Sequence, residues 1–149
     1  MRHGGFLLAL VAGVFHAATA AGQGETANAL QEWGMLGTWS ARCDQPASGS
    51  NSRYTFVIDA GGRAYLERDF GNQEQNDRND IVSAQRRADG TLAMMVNFKA
   101  FNQIRLNVYA KSDRGVRVVY NRGPAGDVTV EDGILKHNGR PTPWTQKCD

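Results

Sequence analysis

The 149-residue chain carries 17 basic and 15 acidic side chains, for a net charge of +2, and 41% of its residues are hydrophobic. A balance this even argues against a nucleic-acid partner, which needs a clustered basic surface. Its two cysteines, Cys43 and Cys148, lie far apart with no Cys-x-x-Cys spacing, which excludes thioredoxin-type redox chemistry and zinc-ribbon sites.

Residues 1–20 read as a secretory signal peptide. Arg2 and His3 supply a positive start, residues 6–15 an apolar run too short to span a bilayer, and Ala18-Thr19-Ala20 a small-residue cleavage site. The expectation is a periplasmic or secreted protein without stable membrane insertion. Residues 21–149 then form one domain, long enough to bury a core. In an oxidising compartment two cysteines favour a single Cys43–Cys148 disulfide.

Beyond a polar leader, Thr26 is placed as the N-cap of a short helix. Ala27, Leu30, Trp33 and Leu36 form its apolar stripe, and Gly34 and Gly37 end it. The stripe suits a packing plug or a lid. The stretch Leu36-Gly37-Thr38-Trp39-Ser40-Ala41-Arg42-Cys43 reads as the first strand, with Trp39, Ala41 and Cys43 on one face. Trp39 is large enough to plug one end of a barrel.

From there short alternating runs follow one another. Tyr54, Phe56 and Ile58 share a face, and after the Asp59-Ala60-Gly61-Gly62 turn so do Ala64, Leu66, Arg68 and Phe70. Residues 71–79 read as a polar loop, then residues 81–85 as a strand. Leu92, Met94, Val96 and Phe98 alternate next, then Ile104, Leu106 and Val108, then Val116, Val118 and Tyr120. Val128, Val130, Ile134 and Leu135 precede an extended tail. Turn signals recur every ~8–12 residues, and no crossover helix separates the runs. The fold expected is all-β: an antiparallel up-and-down barrel of about eight strands.

Trp39, Phe56, Leu66, Met94, Val96, Phe98, Leu106, Val108, Val118 and Tyr120 are the residues expected to line its interior. Arg68 is the charge in phase with that wall. A charge on an inner face needs a partner. Arg68 can close over Trp39 by cation–π contact or meet the carboxylate of a ligand.

Catalysis finds little support. His137 sits in a turn beside Lys136, away from any nucleophile motif. Glu67 and Asp69 share a strand face in the ordinary alternation of an exposed sheet. Residues 72–80 are rich in oxygen ligands but match no EF-hand spacing, so a solvated loop is expected. Arg86, Arg87, Arg114, Arg117 and Arg122 read as a charged exterior. No catalytic residue, metal site or cofactor is assigned.

The helix running into Gly37-x-Trp39 resembles the start of the lipocalins and other calycins, secreted antiparallel barrels that bind small apolar molecules. In length the chain is similar to compact calycins such as avidins. The Leu36-Gly37-Thr38-Trp39 stretch and the disulfide also resemble bacterial periplasmic inhibitors of the alkaline-proteinase-inhibitor type, whose N-terminal segment blocks a protease. The likeness implies a non-catalytic binding protein for a small apolar ligand. Trp39, Arg68, Phe56, Leu66, Met94, Phe98, Leu106 and Tyr120 would contact it. An exported protease is the alternative partner, and a structural or interaction role in the cell envelope a third reading.

Overall fold

The computed structural model describes residues 17–148. One helix, α1 (Ala17–Trp33), precedes strands β1 (Gly37–Ser40), β2 (Arg53–Ile58), β3 (Ala64–Asp69), β4 (Asp77–Arg86) and β5 (Leu92–Phe98). Strands β6 (Gln103–Ser112), β7 (Gly115–Arg122), β8 (Val128–Glu131), β9 (Ile134–Leu135) and β10 (Gln146–Cys148) complete the chain. All ten form one antiparallel sheet in the order β10-β1-β2-β3-β4-β5-β6-β7-β8-β9, curled into a half-barrel. The count exceeds the expected eight because β9 and β10 are short pairings that the sequence shows only as a turn flank and an extended tail.

The helix differs from its expected form. It starts at Ala17, so Thr26 lies inside it and donates its hydroxyl to the Gly22 carbonyl at 2.9 Å instead of capping. The alanine-rich residues 17–21 have high helix propensity and carry the helix further back than the cap signal indicates. The expected cleavage motif at residues 18–20 lies within this helix, and the apolar run at residues 6–15 lies outside the described residues. No described helix is long and apolar enough to cross a membrane.

The C-terminus of α1 is held closely. Gly34, at φ 81°, donates its N–H to Gln31 at 3.0 Å, and Met35 donates to Leu30 at 2.9 Å. This paired closure needs a left-handed residue, which glycine supplies without strain. Lys111 Nζ donates to the Trp33 carbonyl at 2.7 Å, placing a cation at the negative helix end. Trp33 Nε1 donates to the Gly90 carbonyl at 2.9 Å. Leu30, Trp33 and Met35 are buried in one cluster with Ile81, Leu92, Met94 and Val96, so α1 fills one end of the curled sheet.

β4 begins at Asp77, inside the stretch read as a polar loop. Its polar residues are satisfied across the strands. Arg68 stands opposite Asp77, Glu67 opposite Arg78 and Leu66 opposite Asn79. The buried Asn79 side chain accepts the Lys99 N–H at 3.0 Å. A polar run can thus extend a strand when its partners lie on the neighbouring one.

The tail of the chain ties the sheet together. β10 pairs with β1 through Thr38↔Cys148, Trp39↔Lys147 and Ser40↔Gln146. Just before it, Thr145 exchanges both backbone hydrogen bonds with Val116, at 2.8 and 2.9 Å. That approach requires Gly115, where a Cβ would come within 2.0 Å of the Thr145 carbonyl oxygen. The disulfide is formed as expected, joining Cys43 to Cys148 across a separation of 105 residues.

A loop of that length makes the bridge a large contributor. On chain-entropy grounds, replacing both cysteines by serine should cost about 4–5 kcal/mol. Denaturant midpoints of the oxidised protein and the double variant measure it; a difference below about 1 kcal/mol, the scale of harmless surface changes, would show that the tail holds without the bond.

Candidate functional site

At the end of the half-barrel away from α1, the sheet encloses a cavity of about 630 Å³, partly open to solvent. It falls within the usual range for small-molecule sites, about 300–1,000 Å³. Its apolar wall comes from β1, β2, β3 and β5: Trp39, Phe56, Leu66 and Phe98, with Met35 below. These positions are legible from period-two alternation, because directly paired residues share a face. Phe56 stands opposite Leu66, and Trp39 opposite Tyr54. Trp39 is 6% exposed and donates its Nε1 hydrogen to the Met35 carbonyl at 2.7 Å.

Of the eight residues expected to contact a ligand, Trp39, Phe56, Leu66, Arg68 and Phe98 line this cavity, whereas Met94, Leu106 and Tyr120 do not. Met94 points inward but is fully buried in the cluster with Leu30 and Trp33, where α1 occupies the space. Leu106 lies on the other face of β6, whose cavity side is Gln103, Arg105, Asn107 and Tyr109. Alternation reveals which residues share a face but not which face is inside. Tyr120 is turned away by a bulge: Val108 pairs with Tyr120 and Tyr109 with Val118, leaving Val119 as the extra residue. A bulge flips the phase, so Val118 lines the cavity before it and Asn121 after it.

The β6–β8 side of the cavity mixes apolar Val116, Val118 and Val130 with a polar cluster. Asn121 Nδ2 donates to Asn107 Oδ1 at 2.6 Å. Its Oδ1 accepts from Arg105 Nε at 2.9 Å and from the Thr129 hydroxyl at 2.6 Å. Arg105 also donates to Gln103 Oε1 at 3.0 Å and forms an ion pair with Asp127 at 2.9 Å. These residues were missed because a polar set on a strand normally faces water. Only the registration of β6 against β7 shows that they satisfy one another.

Arg68 lines the cavity without reaching for its centre. Its guanidinium makes a bidentate pair with Asp77, Nε donating to Oδ1 at 2.8 Å and the second nitrogen to Oδ2. It lies over the rings of Phe98, Phe70 and Phe101, at 4.8, 5.3 and 5.7 Å. The expected contact with Trp39 is replaced by these three rings; the cation near Trp39 is Lys147, at 5.9 Å. Asp77 was the hidden partner, placed by the sequence in a solvated loop. Burial alone would raise its pKa; the hydrogen bonds and charge of Arg68, with Asn79, outweigh this and hold it below the ordinary 3.8. Phe101, 58% exposed, marks where the cavity meets solvent.

Two hydroxyls complete the site. Tyr109 is 9% exposed, and the Phe56 ring packs edge-on against its own at 6.0 Å. Burial pushes its phenol far above the usual range, and nearby Tyr54 adds to the rise, with Arg68 opposing it. Tyr54 stands directly across from Arg68 on β3. Both tyrosines line the cavity; neither hydroxyl makes a hydrogen bond among the described residues, and neither is one of the buried unpartnered atoms, so both open to the cavity. Arg117 also borders the cavity. Its guanidinium lies 4.8 Å from the Trp144 ring and against Gly133, and its Nε is buried without a partner among the described residues.

Compared with known proteins, the chain matches no family model, no curated protein and no solved structure.

The Arg68–Asp77 pair is the electrostatic hinge of the site, both side chains being 15% exposed. Breaking such a pair by removing one charge costs about 3–5 kcal/mol, so Asp77→Asn should destabilise by roughly that amount. Because the folded-state pKa of Asp77 is depressed, its contribution is complete above the ordinary carboxylate value and is lost as pH falls through the lowered one. Unfolding midpoints taken across the acid range should show a steeper loss in the parent than in Asp77→Asn. Parallel curves would show that the pair does not govern the acid limb.

Proposed function

We propose that this chain is a non-catalytic binding protein for a small, mostly apolar ligand, held in the cavity of the curled sheet. The single observation that carries this reading is the cavity of about 630 Å³ with Trp39, Phe56, Leu66 and Phe98 on its wall. A concave apolar surface with a few polar groups is the general form of a small-molecule site. The calycin-like reading draws support from α1 leading into Gly37-x-Trp39 on the first strand and from the antiparallel order of the sheet. The Val116–Thr145 bridge supports closure of the half-barrel into a barrel through the tail. The disulfide and the lack of a described membrane-spanning helix are compatible with a periplasmic or secreted protein. Protease inhibition and a structural envelope role rest on resemblance and compartment alone.

Nile red, an uncharged dye whose emission rises in apolar surroundings, tests the reading. Uptake should saturate at one dye per chain. Val118→Trp, which fills the cavity from the half-buried β7 wall, should weaken it at least ~10-fold, about 1.4 kcal/mol, while the protein still unfolds cooperatively. Dye binding that Val118→Trp leaves unchanged, or no saturable uptake at all, would overturn the proposal.

A further inference from the structure

If a ligand occupies this cavity, its polar end is constrained by which hydrogen-bonding groups on the wall remain free. Arg68 is neutralised: Nε and one terminal nitrogen bond Asp77, and three phenylalanine rings surround the guanidinium, whose other terminal nitrogen makes no hydrogen bond among the described residues. Arg105 is neutralised as well, its donors directed to Asn121, Gln103 and Asp127. Asn121 bonds both Asn107 and Thr129. A carboxylate entering here finds these two cations already neutralised, and the third on the wall, Arg117, lies against the Trp144 ring with no ion pair among the described residues.

The Tyr54 and Tyr109 hydroxyls are different. They come from different strands of the cavity wall, β2 and β6, and Tyr54 lies close enough to Tyr109 to add to the rise in its pKa. Tyr109 is 9% exposed as a residue, but its hydroxyl is not one of the buried, unpartnered side-chain atoms; making no hydrogen bond among the described residues, it opens to the cavity, where water or a ligand can pair it. A neutral phenol is a hydrogen-bond donor, and burial keeps Tyr109 neutral.

We propose that Tyr54 and Tyr109 form the polar anchor of the cavity and donate to an uncharged acceptor, the carbonyl of an ester, ketone or amide carried on an apolar body. The aromatic wall of Trp39, Phe56 and Phe98 takes the body, and the Arg68–Asp77 pair, being already complete, does not recruit an acid. This rests on the ligand-binding reading above and specifies its head group.

Three probes of matched chain separate the possibilities: methyl decanoate, decanoate and decane, each measured by displacement of Nile red. The ester should bind tightest. Tyr109→Phe removes a hydroxyl with no protein partner, so its unfolding midpoint should stay at the parent value, and Tyr54→Phe should behave alike. Each variant should weaken the ester about 5- to 10-fold, the value of one net hydrogen bond, and leave decane unchanged. Decanoate binding more tightly than the ester would overturn the head-group assignment and point to Arg117 as an anion anchor, with the binding reading intact. An ester no tighter than decane, or equal losses for ester and decane in Tyr109→Phe, would overturn it too. Displacement by none of the three, alongside failed Nile red uptake, would remove both readings together.

Discussion

A sheet that curls without meeting itself leaves two rows of backbone groups to satisfy, and here one short segment serves both. Residues 145–148 bond to β1 on one side, through the β10 pairing, and to the start of β7 on the other, through Thr145 and Val116. Further along β7, the Val118 carbonyl accepts the Thr142 hydroxyl at 2.6 Å and the Val119 carbonyl accepts the Gly133 N–H at 2.9 Å. The edge that would invite another chain is thereby occupied by the protein's own tail. The disulfide fixes where that tail ends. Thr142, Pro143 and Thr145 also border the cavity, so the same segment that satisfies the edge shapes the site.

The concave face is divided between a filled end and an open one. Against β4 and the β4–β5 turn, α1 supplies Leu30 and Trp33, and Leu92, Met94 and Val96 are fully buried beneath it. Beyond the reach of the helix the same face carries larger and more polar residues, and the side chains no longer meet across it. Trp39 stands at the boundary, its indole N–H tied to the Met35 carbonyl just after the helix. It therefore joins the packed core to the cavity wall, and the position of the helix sets the depth of the cavity.

Much of this frame was legible in the sequence. The inner face of β1, β2, β3 and β5 follows from alternation alone, because apolar residues there face inward as the simplest rule requires. The Cys43–Cys148 bond followed from cysteine count. What escaped had a common cause: polar residues whose partners lie on a neighbouring strand. Asp77 resembled loop chemistry until Arg68 appeared opposite it. On β6 the apolar set Ile104, Leu106 and Val108 suggested the wrong inner face, because Arg105 and Asn107 are satisfied by Asn121 and Asp127 across the strand and Gln103 by Arg105 beside it. The bulge at Val119 reversed the phase of Tyr120 without any glycine or proline to announce it. Local periodicity cannot encode such pairings, which exist only once the register is set.

The satisfied polar cluster has a consequence for selectivity. A buried network whose members are all paired costs little to keep dry, and it presents few free donors to an incoming molecule. The polar cluster thus shapes the space without competing for a head group. Charge is handled the same way at Arg68 and Arg105, each of which meets an aspartate, whereas Arg117 lines the cavity with no ion pair among the described residues. Discrimination then falls on whatever polar groups lack internal partners. A site that leaves a hydroxyl unpaired discriminates against molecules unable to pair it, because the desolvated group goes unsatisfied in their complexes. Around this cavity Arg117 Nε is the buried atom without a partner, while the Tyr109 hydroxyl, beside Phe56 and Tyr54, opens to the cavity without a hydrogen bond among the described residues.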